Sequence, residues 1–415
     1  MTRRWLFVLL MTKYLFLIFL FIPFDAPSQS KSNDYTPKGA RQDSSASMLL
    51  LDRGLQAELV DAIDYMYNFK FEEAEKEFRW LKYRYPNHPL PYFVMGLNEW
   101  WKIVPNTEDK NHDALFIAYM DSTIQKAYTM YRKDPKDIEA AFFLAGAYGF
   151  KGRIYSERRK WTKATIAGKN ALKYLRRGKG VNELSPEFLF GDALYNYYSV
   201  WIPENYPALR PIMAFFKKGD KDLGLKQLDE VSRFAFYTRV EAQYFLMRIY
   251  TNEENKTYLA QKICTELYNQ YPDNAYFHRF YAMLNFSRGR LSECEKTSKV
   301  LLDRVEQKQV GYEATSGRYA SYYLGYVNRV RGKHPTAKAY FEQTVQYAEA
   351  IEAYDSGYYI SALKYLAKYA KDEKDYATAK KYYQKIAKHS EKKKSRKDAR
   401  KQLKKIKKNK FDENY

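Results

Sequence analysis

Residues able to do covalent chemistry are few and far apart. The histidines stand singly at His88, His112, His278, His334 and His389. None has the H-x-x-x-H spacing that lets one helix face hold a metal. The two cysteines, Cys264 and Cys294, are thirty residues apart. There is no glycine-rich phosphate loop, nucleophile elbow or zincin helix. Carboxylates gather in runs such as Glu72, Glu73, Glu75 and Glu77, which suit solvated helix faces. This pattern predicts a protein that is not an enzyme, with no catalytic residues, metal or cofactor. Recognition is better supplied. Tyr319, Tyr322, Tyr326 and Arg329 recur at spacings of three and four, so one helix face carries three phenols and a guanidinium. Such a face either packs against a neighbouring element or offers a platform to a peptide or a glycan.

A second recognition feature is electrostatic. Between Lys380 and Lys410 there are 16 Lys or Arg against only Glu391 and Asp398, so most of the formal net charge of +22 sits near the C-terminus. Lys392, Lys393, Lys394, Lys404, Lys405, Lys407 and Lys408 surround Ala399, Leu403 and Ile406, which fall at i, i+4, i+7. The segment 389–415 therefore reads as a Lys-rich helix or tail with a narrow apolar stripe. It either caps the preceding fold or is drawn to an anionic membrane or lipopolysaccharide surface. Lysine rather than arginine favours diffuse attraction over bidentate phosphate recognition.

These features need elements to position them. Residues 1–28 read as a secretory signal peptide: starting from either Met1 or Met11, a basic residue precedes the apolar run Tyr14–Phe24, and Ala26, Pro27 and Ser28 supply a cleavage site. A retained anchor is the alternative, and Lys13 opposes it. No cysteine lies nearby for lipid attachment. Residues 29–47 are polar and aperiodic and read as a flexible leader. The expected location is the periplasm or the periphery of the envelope, which argues against nucleic acid as a physiological partner. Cys264 and Cys294 fit free buried thiols or a single bridge. The segment 199–220, with Pro203, Pro207 and Pro211, predicts an insertion that cannot continue a helix. Its apolar residues suit either a structural plug or a partner-gripping loop.

Over 48–388 the sequence repeats. Phe71, Ala74, Phe78, Leu81 and Pro86 are spaced as a helix packing back on a partner that supplies Ala62 and Tyr65. Gly96 follows Ala62 by 34 residues, and Cys294 follows Ala260 by the same step. Further copies carry Leu144, Ala145 and Tyr148; Gly191; Ala282 and Gly289; Leu324, Gly325, Gly332, Ala337 and Phe341; and Leu366, Ala367, Ala379 and Tyr383. This pattern resembles the tetratricopeptide repeat (TPR), in an exported bacterial form. The resemblance implies an all-α fold, a right-handed superhelical solenoid of about six or seven irregular helix pairs. It places Tyr319, Tyr322, Tyr326 and Arg329 on the concave face and implies a protein partner there, of unspecified identity, with the oligomeric state left open. The competing reading is a glycan-binding module of an outer-membrane nutrient-uptake system.

Overall fold

The computed structural model describes residues 48–176, 185–207, 210–214, 217–354 and 357–412, and all regular structure among them is helical. The segments read as signal peptide and leader lie outside the described residues. Among the described residues no helix is long and apolar enough to cross a membrane. The chain divides into two compact units: Met1–Ile103 with Thr107–Ile263, and Val104–Asn106 with Cys264–Tyr415.

The first unit contains α1 (Arg53–Tyr67), α2 (Phe71–Arg84), α3 (Pro89–Ile103), α4 (Asp113–Lys133), α5 (Ile138–Glu157), α6 (Trp161–Leu175), α7 (Leu189–Asn205), α8 (Lys221–Phe234) and α9 (Arg239–Asn252). The division falls within α10 (Thr257–Gln270). The second unit contains α11 (Ala275–Ser287), α12 (Leu291–Glu306), α13 (Ala314–Val330), α14 (His334–Ala350), α15 (Gly357–Asp372), α16 (Tyr376–His389) and α17 (Lys393–Asp412). Four hairpins, α1/α2 to α7/α8, occupy the first unit and three, α11/α12 to α15/α16, the second. First helices of successive hairpins also touch: α1 with α3, α3 with α5, α11 with α13 and α13 with α15.

Five of these hairpins share one turn. Phe69, Arg159, Gly289, Gly332 and Lys374 have left-handed φ of 61°, 57°, 70°, 75° and 62°. The residue after each (Lys70, Lys160, Arg290, Lys333, Asp375) has φ between −86° and −79° and starts the next helix. Its N–H donates to the carbonyl five residues earlier, from Lys70 to Tyr65 (2.9 Å), Lys160 to Tyr155 (2.8 Å), Arg290 to Asn285 (2.9 Å), Lys333 to Asn328 (2.9 Å) and Asp375 to Ala370 (2.8 Å). This six-to-one bond is the Schellman closure, which satisfies carbonyls that a helix end leaves open. The return helices then pack because small residues face large ones. At Gly325 on α13 a Cβ would lie 2.7 Å from the ring of Phe341 on α14, so only glycine admits that ring.

The proline-rich segment departs from expectation at one point. Pro203 does not stop its helix; α7 runs through it to Asn205. Beyond Asn205 the described residues of this segment include a short helical turn, Arg210–Met213. Trp201, Ile202 and Met213 are buried with Leu225, Leu228 and Val231 of α8, so the described part of this segment is a constituent of the core. Phe215 and Phe216 lie outside the described residues. Cys264 and Cys294 are both buried and free, and burial pushes the Cys294 thiol up to about 12.

The turns make a two-way prediction. Lys374 is exposed and left-handed, a conformation that costs a non-glycine residue about 1 kcal/mol, whereas Gly332 adopts it without that cost. Lys374→Gly should raise the unfolding free energy, and Gly332→Ala lower it, each by about 1 kcal/mol in urea titrations.

Candidate functional site

The most developed site in the first unit is a pocket of about 180 Å³. Its walls come from α3, α5, α6, α7 and α9, and its apolar surface is supplied chiefly by Phe93, Phe142, Phe150, Leu175, Phe188 and Phe245. From α5, Ala145, Gly146 and Gly149 border this space. A Cβ at Gly146 would come within 3.2 Å of the Phe93 ring, but at Gly149 it would meet nothing within 4 Å.

Three charged side chains line the pocket: Asp192, near the start of α7, and the more deeply buried Arg153 and Glu241. Arg153, one turn beyond Gly149 on α5, is 9% exposed; its guanidinium lies 4.5 Å from the centroid of Trp100 and donates to Tyr244 Oη at 2.7 Å. Arg248 donates to the same oxygen at 2.7 Å. Burial alone would raise the Tyr244 phenol, but the two guanidinium groups outweigh it and hold the phenol below its ordinary value. Glu241, on α9, is 2% exposed. Its Oε1 accepts from Trp101 Nε1 at 2.8 Å, while Oε2 is buried without a hydrogen-bond partner. Burial pushes this carboxyl up to about 6 against the pull of Arg153 and the Trp101 bond. Tyr237, also in the wall, has its Oη buried and unpartnered.

The start of α9 is fixed by a further buried acid. Glu187 accepts from the backbone N–H groups of Phe236, Tyr237 and Thr238 at 2.5, 2.8 and 3.1 Å, and from Thr238 Oγ1 at 2.7 Å. A carboxylate at a helix start satisfies amides that the helix cannot pair itself. Glu241 is thereby carried on an anchored first turn.

In the second unit the four residues singled out on α13 share a face but not an environment. Tyr322 is 7% exposed, its ring 4.5 Å from Tyr358 on α15 and 5.9 Å from Phe341 on α14. Burial pushes its phenol up to about 12. Tyr319, Tyr326 and Arg329 are half-buried around it. The Arg329 guanidinium lies 5.2 Å from the Tyr326 centroid and 4.7 Å from that of Tyr365 on α15, with its Nε buried and lacking a hydrogen-bond partner. Tyr322 thus packs between helices, and Tyr319, Tyr326 and Arg329 form the partly accessible part.

Lys393, Lys394, Lys404, Lys405 and Lys407 lie on α17 and, with the preceding Lys392, are exposed; the Lys408 side chain is outside the described residues. Ala399 and Ile406 are buried on the opposite side, Ile406 packing with Ala370 of α15 and Ala379 of α16. Lys364 Nζ donates to Ser395 Oγ at 2.8 Å, tying α15 to α17.

Compared with family models and with curated proteins, the chain matches none. Sequence reasoning on isolated residues passes over Arg153 and Glu241, because each reads as one more charge on a helix face. The available signal was Gly146, Gly149 and Gly152 in a single helix, where alanine would be favoured by about 1 kcal/mol at each position.

Glu241 generates a pH prediction. Its folded value of about 6 exceeds that of a carboxyl in the unfolded chain, so its contribution is fully present below about pH 4.5 and is lost as pH rises through 6. Relative to Glu241→Gln, the parent protein should gain about 2 kcal/mol of unfolding free energy between pH 7.5 and 4.5. Urea titrations of both proteins at the two pH values measure the difference.

Proposed function

We propose that this chain is a non-enzymatic scaffold of the TPR type, exported to the bacterial periplasm or envelope, with its hairpins stacked as a right-handed superhelical solenoid. In this reading the inner face of the repeats holds a protein partner, and the lysine face of α17 attaches the assembly to an anionic surface. The observation that supports it most is the recurrence of one hairpin turn at Phe69, Arg159, Gly289, Gly332 and Lys374, each followed by a helix that packs back on its predecessor. A unit repeated in this way leaves an apolar face that only its neighbours cover, and the stacked first helices become a continuous recognition surface.

The partner-binding part is tested by affinity capture from cross-linked cell envelopes. The parent protein is compared with a Tyr326→Ser, Arg329→Ala double variant that leaves the interior Tyr322 intact. A protein enriched by the parent and lost from the variant is the expected result; the same catch from both removes α13 as the site. The surface-binding part is tested without deleting α17, since deletion would uncover Ala370 and Ala379. Replacing Lys392, Lys393, Lys394, Lys404, Lys405 and Lys407 by Gln should weaken binding to phosphatidylglycerol vesicles at low salt about a hundred-fold or more. Circular dichroism should remain unchanged. Equal vesicle binding by both proteins would exclude the lysine face.

A further inference from the structure

The pocket between α5 and α9 has features that packing alone does not explain. Two interior glycines of α5 face it, although each costs its helix about 1 kcal/mol relative to alanine. At Gly149 a Cβ would touch nothing, so close packing is no reason for its absence. The wall is mostly aromatic and aliphatic, with Asp192 and Thr238 as well as Arg153; Glu241 and Tyr237 also line it, and their Oε2 and Oη atoms are buried without partners. An unmet buried polar group costs roughly 1–3 kcal/mol, and the cost disappears when a ligand supplies the missing hydrogen bond. Arg153 and Glu241 attract each other but do not close into an ion pair; Arg153 rests on Trp100 and holds Tyr244 instead.

We propose that this pocket binds a small uncharged amphiphile: a compact apolar body, such as a one- or two-ring aromatic, bearing one hydroxyl. The body fills the space left by Gly149. The hydroxyl donates to Glu241 and can accept from Arg153 in turn. A carboxylate in the same place would face Glu241 and Asp192, and an ammonium would face Arg153, so a ligand of either charge meets a like charge. In volume the pocket slightly exceeds an engineered apolar cavity of about 150 Å³ that takes up benzene. This inference concerns the pocket alone and stands independently of the scaffold reading.

The test uses the purified full chain at pH 7.5 and three probes of nearly equal size: 2-naphthol, naphthalene and 2-naphthoate, titrated by calorimetry. The expected result is binding of 2-naphthol about ten-fold or more tighter than either of the others, the range that one hydrogen bond to a buried charged group supplies. Glu241→Gln, whose amide oxygen still accepts but carries no charge, should narrow the gap between 2-naphthol and naphthalene. Gly149→Leu, which places a side chain in the empty space, should weaken 2-naphthol by at least about ten-fold without lowering the thermal midpoint. Equal binding of the three probes, binding of none, or unchanged binding by Gly149→Leu each overturns the proposal. The ranking of probes on the parent protein decides it even if a variant fails to fold.

Discussion

The structure depends on how each helix is turned back onto the one before it. A helix end leaves carbonyls without partners and an apolar stripe without cover, and in five of the seven hairpins both are dealt with by the same three-residue closure. The left-handed residue reverses the chain, the next residue bonds to the carbonyl five positions earlier, and the returning helix covers the stripe. Because the closure is made by the backbone, it imposes little on side-chain identity beyond tolerance of positive φ. Phe69, Arg159 and Lys374 adopt that conformation at a local cost which the surrounding packing outweighs. Phe69 recovers part of it directly, being buried and stacked at 5.0 Å on Phe71.

This explains which hairpins the sequence displays and which it conceals. Gly289 and Gly332 are legible as turns because glycine is the residue that positive φ favours. Gly325 is legible as a close-contact position because Phe341 follows at hairpin distance, and Ala62, Ala282 and Ala367 have the same role with no exposed surface at all. The turns at Phe69, Arg159 and Lys374 carry no such mark, since only tertiary packing keeps a side chain there. Pro203 misleads for a related reason. Near the end of α7 it forfeits a hydrogen bond but keeps a φ that suits a helix, and the burial of Trp201 and Ile202 beside it holds the segment in place.

Tyrosine blurs the candidate site in a different way. A stripe of Tyr at spacings of three and four looks the same whether it lines a groove or fills a seam, because the ring suits an apolar wall and the hydroxyl suits its wet edge. On α13 both occur within one stripe: Tyr322 is interior, whereas Tyr326 stands beside Arg329. No periodicity separates them; the difference arises from Tyr358 and Tyr365, which reach the stripe from the next hairpin. The lysines of α17 are more legible, since the buried positions Ala399 and Ile406 fix which face remains for charge.

Arg153 and Glu241 were beyond the reach of any single-helix reading, because what makes them unusual is the company each keeps on other helices. A carboxyl and a guanidinium in an aromatic core are tolerated only when their hydrogen-bonding capacity is largely met. Glu187 shows what full compensation looks like: four donors converge on one acid, and the result anchors a helix start. Glu241 has one donor, beside a space that Gly149 leaves open. Both acids are carried by the same unit and nearly equally buried, so burial does not distinguish them. Partner number does, and the acid with capacity to spare is the one whose surroundings leave room for another molecule.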